Sequence, residues 1–311
     1  MSLTRNKKIL KGLDHSSYEH PFDAKALKAL ENTPGLKLAG DYINKHISER
    51  LYSIQYTGSN IKYTKASYPK IYEYLDYACD ILDIKKRPDL YSCWDYSINA
   101  FTVGSENPLI VLNSGVLDLC DDDEIMFIIG HELGHIKSNH MVYHMMARLI
   151  NIVINQIPFG NIAAAPLQFA LDYWDRMSEF TADRAGLLCC QNKDAAVRAF
   201  MKMAGVPKSQ FGSLNYETFI QQARDFKQLD YDAMNKFVKF ISIIDDSHPW
   251  TVMRAAELLR WMEEGECAGI INQGKMPMLI KAKPIPQMTI TKKEDDNDSP
   301  NRKMKISPKH Q

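Results

Sequence analysis

The most constraining feature of this 311-residue chain is the pentapeptide His131-Glu132-Leu133-Gly134-His135, which lies in a strongly apolar stretch typical of a helix. A four-residue separation puts both imidazoles on one helix face, one turn apart, as a shared metal ion requires. Glu132 is offset around the helix, where its carboxylate can reach a metal-bound water and act as a general base. Alternatively, both histidines are core residues, since the pattern arises by chance in about one such chain in a hundred.

A catalytic zinc ion uses three protein ligands and keeps a fourth position open for water, so a third ligand is expected elsewhere. The extended metzincin motif does not fit, because His140 lies one position short of that motif's third histidine. We therefore expect His140 at the surface or beside the ligands. A predicted helix over 171–190 offers Glu179 as the ligand, and Asp183 to accept the second ring proton of a ligating histidine. The alternative for this acidic pair is an ordinary solvated helix face.

The charge balance argues against a polyanionic partner. Lys plus Arg and Asp plus Glu both number 38, so we expect no nucleic-acid binding. The six cysteines form no C-x-x-C pair and are interpreted as reduced, mostly buried thiols. The first twelve residues lack the apolar core of a secretory signal, and polar residues and prolines interrupt the hydrophobic region 147–174. These patterns predict a cytoplasmic protein without a transmembrane helix and leave peripheral membrane contact open.

The order of predicted elements favours an α+β fold. Residues 99–103 and 109–112 form a predicted β-hairpin around a turn-rich pentapeptide. The helix with the metal-binding motif is expected to follow the acids that begin at Asp121 and to run to about Arg148. Further helices are predicted over 21–30, 68–82, 171–190, 195–204, 216–226, 233–243 and 251–264.

Composition divides the chain into three expected parts. These are a helical or irregular N-terminal segment (1–57), a catalytic domain (58–275) and a flexible polar tail (281–311). The segment 148–174, between the two predicted metal-binding helices, is rich in apolar residues and contains bend-forming proline and glycine. We interpret its apolar face either as a lid over the cleft, as a contact with a membrane or partner, or as ordinary core packing.

Beyond these features, the chain resembles the HtpX-like and type I CaaX prenyl protease family of gluzincin metallopeptidases over about 95–260. The order and spacing of the shared parts are more specific than any single one. They are Asn99-Ala100-Phe101 before the hairpin, Gly115-Val116-Leu117 after it, the stretch 124–140, Glu179 with Asp183, and Ser247-His248-Pro249 followed by Arg254. The chain lacks the transmembrane spans of the membrane-bound members, so it resembles the soluble branch. We therefore carry over neither a prenylated substrate nor an integral membrane location.

The resemblance implies a zincin-like fold, mostly helical with a small twisted sheet. It implies one Zn²⁺ per chain held by His131, His135 and Glu179, with catalysis by Glu132. It also implies that an edge strand that includes Asn99, Ala100 and Phe101 pairs with an extended substrate backbone.

By the same resemblance, His248 and Arg254 would lie near the metal ion. There a cationic or hydrogen-bonding side chain would stabilise the oxyanion of the tetrahedral intermediate. An alternative for His248 is a helix-capping role before the proline that follows it.

Together these observations predict a zinc-dependent endopeptidase that hydrolyses internal bonds of polypeptide substrates. A role in the turnover of damaged proteins follows from the resemblance alone. An alternative of a different functional class is a noncatalytic peptide-binding or scaffold protein that retains the zincin-like fold. The intact Glu132 argues against it. A zinc aminopeptidase is disfavoured, because no strand like G-x-M-E-N is present to hold a substrate amino terminus. The sequence leaves the oligomeric state open.

Overall fold

The computed structural model of the chain describes residues 5–32, 36, 49–154, 160–228 and 251–277. Of 49, 148–154, 160–165 and 227–228 it describes the backbone only. The predicted tail, the helix predicted over 233–243 and His248 lie outside the described residues. The predicted boundaries of the three parts therefore stay a prediction.

Helices make up most of the described chain. They are α1 (Pro21–Glu31), α2 (Glu49–Ser59), α3 (Pro69–Ile81), α4 (Ser114–Leu119), α5 (Asp122–Lys137), α6 (Met141–Ile154), α7 (Gly160–Cys190), α8 (Lys193–Met203), α9 (Tyr216–Gln228), α10 (Thr251–Glu263) and α11 (Glu266–Gln273). The predictions for α1, α3, α8, α9 and α10 are confirmed to within two residues at either end.

Helix α7 begins well before the predicted start at 171 and continues through Pro166. The turn after this proline carries Leu167, Ala170 and Leu171, which pack into a cluster with Val142 and other apolar residues of α6. This packing favours a continuous helix at a residue that by itself disfavours one. The proline was therefore a poor guide to where the helix starts.

The sheet is small and mixed. Its strands are β1 (Ile61–Tyr63), β2 (Asp89–Cys93), β3 (Ala100–Val103) and β4 (Leu109–Asn113), in the order β1-β2-β4-β3. Strands β2 and β4 are parallel, and the other two pairings are antiparallel. The predicted hairpin is confirmed, with Ala100 opposite Leu112. Strand β1 was not predicted, because three residues carry too little alternation.

Helices α5 and α7 approach each other so closely that only small residues fit between them. A Cβ atom added at Gly130 would lie 2.3 Å from the Cβ of Cys189, and one added at Gly134 would lie 2.6 Å from the Cβ of Ala185. Such distances leave no room for a side chain at either glycine. Gly134, inside the pentapeptide 131–135, thus allows α7 to reach the histidines of α5.

The start of α5 is fixed by a capping box. The Asp121 side chain accepts a hydrogen bond from the Glu124 amide, and the Glu124 side chain accepts one from the Asp121 amide. The Glu124 carboxylate is fully buried and also pairs with Arg198 and Lys202 of α8. These contacts anchor the helix that carries the pentapeptide 131–135.

The end of α5 differs from the prediction, which placed it at about Arg148. Asn139 adopts a left-handed φ of 55° and bonds the carbonyl of Ile136, while the amide of His140 bonds the carbonyl of His135. These two hydrogen bonds form a Schellman motif, which stops the helix. Asparagine is among the few residues that tolerate this conformation, so the prediction of one long helix was wrong.

The N-terminal residues share the core of the molecule. Leu10 and Tyr18 belong to the main hydrophobic cluster, and Ala26 and Leu30 of α1 pack with residues of α6 and α7. This packing places Asp23 between α1 and α7 with no exposed surface. A charged group in such a position needs a partner.

Candidate metal centre

The three predicted ligands converge between α5 and α7. The Nε2 atoms of His131 and His135 lie 3.1 Å apart, and the Glu179 carboxylate lies 3.5 Å from the first and 3.2 Å from the second. All three side chains are largely buried. In a tetrahedral zinc site with bonds of about 2.0–2.1 Å, the ligand atoms are about 3.3 Å apart. The donor atoms and their spacing therefore fit such an ion.

His131 is oriented by Asp183, the residue predicted for that role. Its Nδ1 lies 3.0 Å from Asp183 Oδ1, and an ionised carboxylate can only accept, so Nδ1 carries the proton. The lone pair of Nε2 then points into the site. Burial opposes ionisation of the Asp183 carboxyl, but Arg254 and His131 outweigh it and lower the pKa of Asp183.

Arg254 is buried against the carboxylates of Asp183 and Glu179. Its Nε and Nη2 donate to the two oxygens of Asp183 at 2.8 and 2.6 Å, and its Nη1 lies 3.1 Å from Glu179 Oε2. All three guanidinium nitrogens therefore hold acids of the site in place. The oxyanion role that the resemblance implies for Arg254 and His248 stays a prediction.

His135 has a different partner, which sequence reasoning left unassigned. Its Nδ1 lies 3.0 Å from Nδ1 of His140. His140 is 1% exposed, so of the two expected positions the surface one is wrong and the one beside the ligands is right. The helix stop at Asn139 was the signal that could have found it, because the chain folds back there onto His135.

The two ligand histidines also differ in basicity. Burial lowers the pKa of His135 to about 3, so its ring stays neutral. Burial acts on His131 as well, but the charges of Glu179 and Asp183 outweigh it and raise the pKa of His131. The neighbouring acids therefore favour the charged form of His131 more than that of His135.

Glu132 is buried beside the ligands, and its Oε2 accepts a hydrogen bond of 2.7 Å from Thr102 Oγ1. Thr102 lies on β3 and was not predicted as a site residue. Its signal is the alternation of the strand, which turns Ala100 and Thr102 to the same side. Glu132 and the three ligands line a cleft of about 440 Å³, together with the predicted substrate-binding residues Asn99, Ala100 and Phe101.

A second group of candidate ligand atoms lies nearby. His135, His140 and His144 offer nitrogens within 4.8 Å of one another. However, His144 Nδ1 pairs with Asp175 at 2.8 Å and its Nε2 lies 3.1 Å from Ser178 Oγ. Both nitrogens of His144 already have partners, so this group is less suited to a metal ion than the first.

Comparison with known proteins gives the same picture. Residues 69–262 match peptidase family M48. A protein of Arabidopsis thaliana named plastoglobule-localized metallopeptidase 48, chloroplastic, is 29% identical over 276 residues, which cover 88% of this chain and 80% of that relative. A protease HtpX homolog of Sulfurihydrogenibium is 24% identical over 209 residues, or 55% of this chain and 68% of the relative. No solved structure matches the chain.

Within the described part of the chain, no helix is long and apolar enough to cross a membrane. The Arabidopsis relative is named as chloroplastic, so a cytoplasmic location for this chain stays a prediction. The family match covers more than half of the chain and includes the pentapeptide, Glu179 and Asp183. The resemblance to HtpX-like peptidases is thereby confirmed: the chain belongs to peptidase family M48, with a mostly helical fold and a small mixed sheet, and it is a metalloprotease that acts on peptide bonds.

Proposed function

We propose that this protein is a zinc-dependent endopeptidase of zincin-like fold that hydrolyses internal bonds of polypeptides. The observation that carries the proposal is the convergence of His131, His135 and Glu179 in a cleft that Glu132 also lines. Two imidazoles and a carboxylate form a ligand set that suits zinc. A zinc ion held there would act as a Lewis acid on the scissile carbonyl and would lower the pKa of a water molecule bound to it.

Glu132 acts as the general base in this proposal. Its carboxylate takes a proton from the attacking water and later delivers it to the nitrogen of the leaving amine. The hydrogen bond from Thr102 limits rotation of the carboxylate, which keeps it directed at the cleft. Burial of Glu132 beside the ligands excludes bulk water and strengthens these interactions.

The substrate is proposed to bind in extended form along β3. Among the described strands, β3 pairs with β4 and lies at the edge of the sheet, so its other side can accept a peptide strand. Asn99, Ala100 and Phe101 line the cleft at this edge. Such backbone pairing does not require a substrate terminus, which favours internal cleavage.

The test combines metal analysis with cleavage of casein by the wild type and by Glu132→Gln. Near one zinc per chain is expected in both proteins, because glutamine has the size of glutamate and Glu132 is not a ligand. Loss of the base should reduce cleavage by about 10²–10⁴-fold. A peptide blocked at both ends should be cut by the wild type, whereas an aminopeptidase would leave it intact.

Two results would contradict the proposal. Zinc without cleavage in the wild type would favour a noncatalytic peptide-binding protein, and absence of zinc under non-chelating conditions would overturn the ligand assignment. The role in turnover of damaged proteins is a separate part of the proposal. It predicts faster cleavage of an unfolded protein than of the same protein when folded.

A further inference from the structure

A chain of buried polar groups leads from His135 to the N-terminal helix α1. His135 Nδ1 lies 3.0 Å from His140 Nδ1, and His140 Nε2 lies 3.1 Å from Asp23 Oδ2. The second contact is close but is not a well-aligned hydrogen bond. Asp23 Oδ2 also accepts a hydrogen bond of 2.6 Å from Thr181 Oγ1. His140 and Asp23 are at most 1% exposed, so water does not replace these partners.

The protonation of this chain can be worked out from its acidic end. The Asp23 carboxylate faces Nε2 of His140 and can only accept, so it favours a proton on that nitrogen. A neutral His140 then has a bare Nδ1, which must accept a hydrogen bond from Nδ1–H of His135. The remaining nitrogen of His135, Nε2, is left with its lone pair directed at His131 and Glu179.

The requirements on His135 as a metal ligand place the protons at the same positions. A metal ligand needs a bare nitrogen, and a neutral His135 that ligates through Nε2 must carry its proton on Nδ1. The acceptor for that proton is His140. The reverse arrangement, with the proton of His140 on Nδ1, would put the His135 proton on Nε2 and block ligation.

We propose that His140 and Asp23 are positioning residues that fix the tautomer and the ring orientation of His135, so that helix α1 forms part of the metal centre. The inference rests on the proposed function, since it takes His135 to be a zinc ligand. Neither residue touches the substrate or the reacting atoms. His140 and Asp23 influence metal affinity through the orientation and the tautomer of His135.

A purely structural role for Asp23 is the competing interpretation. Its hydrogen bond with Thr181 joins α1 to α7, and such a bond alone would hold the two helices together. A neutral side chain could make that bond without the cost of burying a charge. The carboxylate of Asp23 is explained by its contact with His140, because a group that accepts without donating favours the proton on Nε2 of that ring.

The experiment measures the zinc dissociation constant of the full chain by competition with a chelating dye. Partners behind ligands typically change metal affinity by 10–100-fold, so His140→Leu should weaken binding by about that factor. His140→Asn places an acceptor near the position of Nδ1 and should stay within about fivefold of the wild type. Asp23→Asn removes the charge with little change in shape and should weaken binding by about tenfold.

Thr181→Val is the matched control, since it removes the α1–α7 hydrogen bond and leaves the contact of Asp23 with His140. Its zinc affinity should stay within about threefold of the wild type. Circular dichroism checks that each variant is folded, and Asp23→Asn decides the matter if His140→Leu does not fold.

Wild-type affinity in folded His140→Leu or Asp23→Asn would overturn the proposal. An equal loss in Thr181→Val and Asp23→Asn would also overturn it, because helix docking would then suffice as the explanation. Failure of the proposed function is distinguishable from both, since the wild type itself would then bind no zinc or cleave no casein.

Discussion

The two histidines of the metal centre are held by networks of different character. The first, here the Asp183 network, joins His131 to Asp183 and Arg254. The second, the Asp23 network, joins His135 to His140 and Asp23. The Asp183 network contains two direct ionic hydrogen bonds between arginine and carboxylate, whereas the Asp23 network places the imidazole of His140 between His135 and the acid.

The two networks differ in how strictly they fix the histidine that each one contacts. A bidentate arginine–carboxylate pair has a fixed geometry, and breaking it leaves a buried charge without compensation. The contact of His140 with Asp23 is a single one, and its geometry depends on how α1 is placed. We infer that the Asp183 network carries most of the preorganisation of the site, and that the Asp23 network adjusts metal affinity over a smaller range.

The largest expected effect comes from breaking the Asp183 network. Asp183→Ala removes the acceptor of His131 and leaves Arg254 with one of its two acids, Glu179. Zinc affinity should fall by about 100-fold, at the upper end of the usual range for such partners, and the free energy of unfolding should fall by about 3–5 kcal/mol. Dye competition and urea unfolding measure the two quantities.

The control is the double variant Asp183→Ala/Arg254→Met. Removal of both partners leaves no unpaired arginine, so its loss of stability should be smaller than the sum of the two single losses. If the losses of stability in the two single variants were additive, Asp183 and Arg254 would not be energetically coupled. An effect of Asp183→Ala on zinc affinity no larger than that of Asp23→Asn would remove the inferred difference between the networks.

The sequence allowed prediction of one network and not of the other. Asp183 was found because it lies one helical turn from Glu179, so a local spacing rule was enough. The Asp23 network joins His135 and His140 to a distant residue of α1 and depends on the stop of α5 at Asn139. No periodicity in the sequence specifies which N-terminal carboxylate meets His140.

The fold shows the same division between local and long-range information. Amphipathic helices such as α3 and α8 were located to within two residues, because one turn repeats the pattern of the next. The parallel pairing of β2 with β4 depends on contacts distant in sequence and was not predicted. The glycine contacts between α5 and α7 were also missed, since a glycine does not reveal its neighbour.

A smaller effect is expected at Thr102, which belongs to neither network and contacts Glu132, the proposed base. Thr102→Val keeps the shape of the side chain and removes the hydroxyl that donates to Glu132. At the lower end of the range for a hydrogen bond to a charged group, about 1.5 kcal/mol, kcat should fall by about tenfold. Zinc affinity should not change. Thr102→Ser, which keeps the hydroxyl, should restore kcat, and a fall in zinc affinity would contradict this separation of roles.

The smallest effect on zinc affinity is expected at Glu257, which contacts His20 at the start of α1. His20 caps α1 by accepting from the amide of Phe22, and its Nε2 faces Glu257 of α10. Burial opposes ionisation of the Glu257 carboxyl, but His20 and Arg260 outweigh it and lower the pKa of Glu257 to about 2. Glu257→Gln should therefore lower stability at pH 7 by on the order of 2 kcal/mol, with partial solvent screening allowed for.

The pH dependence of this loss identifies its cause. A carboxyl whose pKa is lower in the folded state stabilises the fold fully above its unfolded pKa of about 4.3, and this contribution is lost as the pH falls toward 2. The difference between wild type and Glu257→Gln in urea unfolding with EDTA should thus be large at pH 7 and shrink at pH 3. A constant difference would mean that the charge of Glu257 contributes nothing to stability.

Zinc affinity of Glu257→Gln at pH 7 should change by less than about threefold, because Asp23 and His140 remain in contact. A tenfold change would instead show that the Asp23 network depends on every contact that docks α1.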